Sequence, residues 1–186
     1  MKKIIKTLLI AAVSVLFVQC SNGKFEIAKG KVGELTPKTT VQDLESIFKN
    51  DSIVKILSEG AKGDNYFQDE DEYLIYEKGG KHLLTLVPNE QLDSTSTFKS
   101  VQIFDERYKT DSGLNINSTF SEINNNNTIS KVETSISSAT ILIDDLNATI
   151  TIDKEELGLK EFDLQKVSKE QIPDLAKVKT FIIWFN

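Results

Sequence analysis

Apolar and polar positions give the chain an uncharged leader followed by short, interrupted runs. Residues 7–18 carry no charge and are almost wholly apolar, with Leu8, Leu9, Ile10, Val13, Val15, Leu16 and Phe17 among them. At helical rise this stretch falls short of the roughly 20 residues a bilayer span needs. Beyond it, Phe25, Ile27 and Val32, broken by Gly30 and Gly33, predict one or two short strands. Thr40 followed by Asp43 predicts a capped helix start. Val41, Leu44, Ile47 and Phe48 then fall on one helical face, which ends near Asn50. Residues 53–57 predict a strand and 60–72 a polar loop, acidic at its end. Two apolar runs, 73–77 and 82–87, flank Lys78-Gly79-Gly80-Lys81 and predict a hairpin. Pro88 closes it, 89–97 is a Ser/Thr-rich connector, and 98–104 predicts a further strand.

The same texture then returns. Leu114 and Ile116 predict a short strand, and Thr119 with Glu122 a capping box opening a second helix. Residues 129–131 predict a strand, and 140–152 a hairpin turning at Asp144-Asp145-Leu146-Asn147. Positions 39–44 and 118–123 match in kind: hydroxyl, hydroxyl, apolar, polar, acid, apolar. The echo predicts an internal repeat, 30–88 and 113–153, each copy a strand, a helix and three strands, with 60–72 inserted in the first. Asp153 to Glu156 predicts a third cap with one helical turn stopped by Gly158, and Ser168 to Gln171 a fourth cap ahead of Pro173. Phe181, Ile182, Ile183, Trp184 and Phe185 are continuous and bulky, predicting a strand buried on both faces or paired inside a sheet, central to the core. The sum is an α+β domain over 25–186: mainly antiparallel sheet with a few short helices, laid out as two tandem helix-plus-hairpin units.

Composition changes the picture at the leader. Cys20 is the only cysteine, so no intramolecular disulfide forms. Lys2, Lys3 and Lys6 precede the apolar run, the secretory pattern of basic start and short apolar core. Leu16-Phe17-Val18-Gln19-Cys20 resembles the lipobox of bacterial lipoproteins, with Gln19 where Gly, Ala or Ser is usual and Phe17 where Leu is usual. Looser boxes of this kind resemble those of the Bacteroidota, and the whole chain looks most like uncharacterised lipoproteins of flavobacterial type. The resemblance implies a signal peptide over 1–19, acylation of the Cys20 sulfur, for example with palmitate, and a lipidated tether over 20–24. Each buried methylene contributes about 0.8 kcal/mol, so two or more chains hold a protein on a membrane stably. Residues 21–24 have no acidic pair of the kind that marks surface export in this group, so the expected place is the outer membrane, facing the periplasm. The doubled helix-then-hairpin unit also resembles the fold of the β-lactamase inhibitor protein and of the small lipoprotein of the outer-membrane barrel-assembly machinery. It carries no binding residue across.

Charge and candidate chemistry narrow the function. Without the three lysines of 1–19 the chain has 19 basic against 28 acidic side chains, a balance of −9. That argues against nucleic acid, whose phosphates demand clustered Lys and Arg. It leaves membrane attachment to the lipid on Cys20. His82 is the only histidine, and nucleophilic triads and most zinc sites need His, usually with Cys or more His; it reads as a strand residue facing solvent. Asp64, Asn65, Asp69, Glu70, Asp71 and Glu72 supply oxygens that a calcium ion could use, but lack the EF-hand order. They read as a solvated charge run guarding a strand edge. No phosphate loop, nucleotide fingerprint or metalloprotease motif is present, so no catalytic, metal or cofactor residue is expected. Asp51-Ser52-Ile53 and Asp93-Ser94-Thr95 resemble the O-glycosylation acceptor of Bacteroidota, implying modification of Ser52 and Ser94 in polar loops. The expected function is a non-enzymatic binding or scaffold module with an envelope protein partner, contacting it through residues 64–72 and 78–81. The alternatives are an inhibitor or chaperone-like accessory of an envelope enzyme and, further off, a carboxylate-based glycan hydrolase.

Overall fold

Alternation of buried and half-exposed residues organises the structure, a computed structural model that describes residues 23–58, 70–159 and 165–185. The leader with Cys20, and Asp64, Asn65 and Asp69 of the acidic loop, lie outside the described residues. A small ribbon comes first: β1 (Ile27–Ala28) and β2 (Lys31–Val32), turned at Gly30, whose φ of 66° suits glycine. A 3-10 turn (Val41–Asp43) then runs into α1 (Leu44–Ile47). Four strands follow: β3 (Ser52–Ile56), β4 (Glu72–Tyr76), β5 (His82–Pro88) and β6 (Phe98–Ile103). The second half repeats the order, with α2 (Phe120–Asn126), β7 (Ile129–Thr134), β8 (Ser138–Ile143), β9 (Ala148–Asp153) and β10 (Thr180–Trp184).

All eight strands from β3 to β10 form one antiparallel sheet in the order β3-β4-β5-β6-β10-β9-β8-β7. The chain is thus α+β and mainly antiparallel, as expected. Each half is a four-strand meander behind a short helix, and the halves join edge to edge through their fourth strands. At that seam Gln102, Val101 and Ser100 face Ile182, Ile183 and Trp184. The bounds 30–88 and 113–153 read from the sequence stop short of β6 and β10. Nothing local marks those two strands as partners; only the assembled sheet does.

The helix starts are held alike in both halves. The Asp43 carboxylate accepts the N–H (2.8 Å) and hydroxyl (2.6 Å) of Thr40; the Glu122 carboxylate accepts the same groups of Thr119 at 2.8 and 3.2 Å. The next two amides bond outward. Val41 and Gln42 donate to the carbonyls of Ser96 and Ser94, and Phe120 and Ser121 to those of Ala176 and Asp174. Helix-start donors that have no partner within the helix are thereby satisfied by the segments leading into β6 and β10. Val41, Leu44, Phe48, Phe120 and Ile123 join one buried cluster with Ile75, Leu84, Val101, Ile141, Ile150, Phe181 and Ile183 of the sheet.

Two expectations fail, at 114–116 and at 154–158. Residues 114–116 form no strand; Leu114 is buried, but its amide bonds back to the Thr110 hydroxyl at 3.0 Å inside a turn, where no neighbouring strand runs alongside. Residues 154–158 form turns with i to i+3 bonds, not a helix. β10 is paired on both sides inside the sheet, the second of the two placements expected of it: Phe181 and Ile183 are buried, while Ile182 and Trp184 are half-exposed, so this central strand has one open side. The fourth cap forms as expected, with a 3-10 turn over Lys169–Gln171.

Candidate functional site

Residues directly opposite each other on paired strands share a face of the sheet. Following the registers, Val54, Leu74, Thr85, Gln102, Ile182, Thr149, Leu142 and Lys131 make one continuous row across all eight strands. They lie opposite the face that carries Ile75, Leu84, Val101, Ile183, Ile150 and Ile141, each fully buried. From Val54 to Leu142 the row holds no charge. A second row sets Val87, Ser100 and Trp184 side by side, and a third Thr180, Thr151 and Thr140. The Thr151 and Thr180 hydroxyls meet at 2.5 Å, and the Trp184 indole N–H donates to Thr149 Oγ1 at 3.2 Å. Among the described residues of these rows, charges stand at the margins, as Glu72, Lys131, Glu133 and Asp153. Thr85 and Ser100 are buried and the remaining members are half-exposed or exposed; an uncharged area this broad is unusual in a chain with 27% charged residues.

Three rings extend this face at one end. His82 stacks between Tyr76 (centroids 4.7 Å apart) and Phe104 (3.9 Å), and Phe104 is 40% exposed. His82 is therefore not a plain solvent-facing residue. Its Nε2 lies 3.1 Å from the Leu84 carbonyl oxygen and 3.0 Å from the Thr85 hydroxyl. Burial lowers the His82 pKa, against the upward pull of that carbonyl, and keeps the ring neutral near pH 7. The stack is a stiff aromatic surface with a polar tip, the kind of group that anchors protein interfaces.

The other residues singled out in the sequence are scattered. Ser52 begins the edge strand β3 instead of lying in a loop, and is exposed; Ser94 is exposed in the β5–β6 connection. The acidic run is not uniformly solvated. Asp71 is fully buried: its carboxylate accepts the Ser58 N–H (2.7 Å) and hydroxyl (2.8 Å) and the Leu92 N–H (2.6 Å). Burial pushes its pKa up, but those bonds outweigh it and the net shift is downward. Asp71 is a structural clasp, and Glu70 pairs with Lys99. The 78–81 tip is exposed, with Lys81 reaching Asp105 at 3.1 Å.

Sequence reasoning missed Gln102, Ile182, Leu142 and the threonines of the open face. Their signal was present. In β8 and β9 the residues between the buried ones are Ser138, Thr140, Leu142, Thr149, Thr151 and Asp153, five of them uncharged where a solvated strand would carry charge.

A cavity of about 340 Å³ lies off this face, lined by Gly23, Phe25, Glu26, Arg107, Lys109, Thr110 and Asp111. Its two carboxylates are not poised as a catalytic pair: Glu26 is tied to Lys31 at 2.6 Å and Asp111 is exposed. Among the described residues no group of three or more His, Cys, Asp or Glu side chains could hold a metal ion. Among them, too, no helix is long and apolar enough to cross a membrane.

No protein-family model matches the chain. No curated protein matches it in sequence. Among solved structures, the crystal structure of the uncharacterized protein yfeY from Escherichia coli is similar, at 13% identity and a TM-score of 0.50. The match covers 86% of this chain and 99% of that one, and at such low identity it is a likeness of fold alone.

Proposed function

We propose that this chain is a lipoprotein of the bacterial cell envelope, anchored by acyl groups on Cys20 to the outer membrane and facing the periplasm. In this reading its folded part is a non-enzymatic module that binds another envelope protein through the open face of the sheet. The observation that carries the binding reading is the uncharged row from Val54 to Leu142, extended by Trp184 and the Tyr76–His82–Phe104 stack. Interfaces are depleted in charge at their centres and anchored by aromatic side chains. Hydroxyls and the Gln102 amide among the apolar groups supply the sparse hydrogen bonds that fix register.

Site-specific photo-cross-linking in the native host tests it. A photoreactive phenylalanine analogue at Phe104 is expected to give a discrete adduct with an envelope protein, and one at Glu45, exposed on α1, is not. Adducts of equal yield from both positions, or none from Phe104, overturn the assignment. Ser52 and Ser94 remain the proposed glycan acceptors, supported by their exposure; intact-mass analysis of the native protein showing both unmodified removes that reading.

A further inference from the structure

The chain enters the fold at a defined corner. Lys24 pairs with Asp51 at 3.7 Å, just ahead of β3. The Phe25 ring packs edge-on against Tyr108, centroids 5.0 Å apart, with the Arg107 guanidinium 4.7 Å from its centre. Arg107 in turn bonds Glu77 at 2.8 Å, at the base of the β4–β5 tip. The Phe25 carbonyl accepts the Lys109 N–H at 2.9 Å, and Ile27 is buried. The first described residues are therefore clamped at the sheet end that carries the 78–81 tip. Strand alternation puts the β5–β6 connection and the β8–β9 turn at the opposite end.

The two ends differ in charge. Around the tip Lys24, Lys78, Lys81 and Arg107 offset Asp51, Glu77 and the buried Asp105, with exposed Glu106 beside them and exposed Glu155 and Glu156 further along the same end, after β9. The far end exposes Glu90, Asp93, Asp144 and Asp145. The tip itself is slim: Gly79 and Gly80 would have nothing within 4 Å of an added Cβ, and lysines stand on both sides.

We infer that the sheet stands on the membrane by its entry end, with the 78–81 tip against the lipid headgroups and the acidic end pointing away. The inference rests on Cys20 being the lipid attachment. Only Ser21 and Asn22 separate Cys20 from Gly23, and three Cα steps span at most about 11 Å. A six-residue strand is about 20 Å long. While Phe25 stays docked the entry end is held within about 11 Å of the bilayer, and the far end has no such tether. Anionic headgroups repel acidic groups within a Debye length, and the cations Lys24, Lys78, Lys81 and Arg107 moderate that repulsion around the tip. The open face is then presented sideways, clear of the bilayer.

Fluorophores attached to Lys78→Cys and Glu90→Cys variants of the full chain, lipidated in the host, report the orientation. The proteins are reconstituted in phosphatidylethanolamine–phosphatidylglycerol vesicles carrying a headgroup-linked quencher. The label at 78 is expected to be quenched several-fold more strongly than that at 90. A Gly/Ser linker of about 20 residues inserted after Asn22 is expected to abolish the difference. Equal or reversed quenching without the linker, with Cys20 shown acylated by mass, overturns the orientation alone. An unmodified Cys20 thiol overturns the anchor and the orientation together.

Discussion

Asp105 has a fully buried side chain between two cations: Arg107 Nη2 at 2.6 Å and Lys81 Nζ at 3.1 Å. Burial alone would raise its pKa, but the Arg107 side chain and backbone and the Lys81 ammonium together hold it at about 2. A carboxylate depressed in the folded state contributes stability that is complete above its unfolded pKa and fades as pH falls toward the folded value. Asp105→Asn is expected to cost about 2–3 kcal/mol at pH 7, since it leaves two cations short of a partner. The deficit should shrink between about pH 4 and pH 2, where the native carboxylate is also becoming neutral. Urea melts across that range check both points. Gly33 sets a second residue-scale constraint, at φ 60° with the Lys24 carbonyl 2.4 Å from where a Cβ would sit. Gly33→Ala is expected to destabilise by about 2 kcal/mol, combining the left-handed backbone with that clash. Exposed Gly113, with nothing within 4 Å, should lose less when replaced by Ala; thermal melts of the pair compare them. His82 belongs to this scale as well: NMR titration of its ring should find a midpoint below the ordinary value of about 6.5, as burial in the stack requires.

The helix starts carry more than their own few residues. In each half the capping threonine precedes two amides bonded to the segment that feeds the half's fourth strand. Replacing Thr40 or Thr119 by Ala is expected to cost about 1 kcal/mol each. The two should be additive, since the sites lie in separate halves; denaturant midpoints of the singles and the double measure this. The caps were legible because Thr–x–x–acid is a local pattern whose physics is complete within four residues. The hairpins were legible for the same reason, as Lys78-Gly79-Gly80-Lys81 and Asp144-Asp145-Leu146-Asn147 are turn chemistry between alternating runs. Leu114 misled because an apolar alternation of two residues is satisfied equally by a strand and by a buried turn. Five bulky residues at 181–185 concealed a face: Ile182 and Trp184 read as core by type and lie half-exposed by place.

At the scale of the molecule the seam between β6 and β10 decides integrity. β10 pairs with β6 on one side and β9 on the other, and places Phe181 and Ile183 in the core. Deleting residues 181–186 removes the strand that joins the two meanders and exposes two inner edges. Loss of cooperative thermal unfolding by circular dichroism is the expected result; an unchanged melt would show that the halves do not depend on the seam. Joining the two meanders also creates the candidate binding face. Val54 and Leu142 are 88 residues apart in sequence yet share one row, which no window along the chain could reveal.

Short-range chemistry was enough to write the caps, the turns, the alternating strands and the lipobox-like leader, because each depends on neighbours within a few positions. Pairing of β6 with β10, burial of Asp71 and Asp105, and the uncharged open face were settled only by the folded chain. Those features arise where segments distant in sequence are brought within hydrogen-bonding range, and a side chain's exposure is fixed by what lands on it, not by what precedes it.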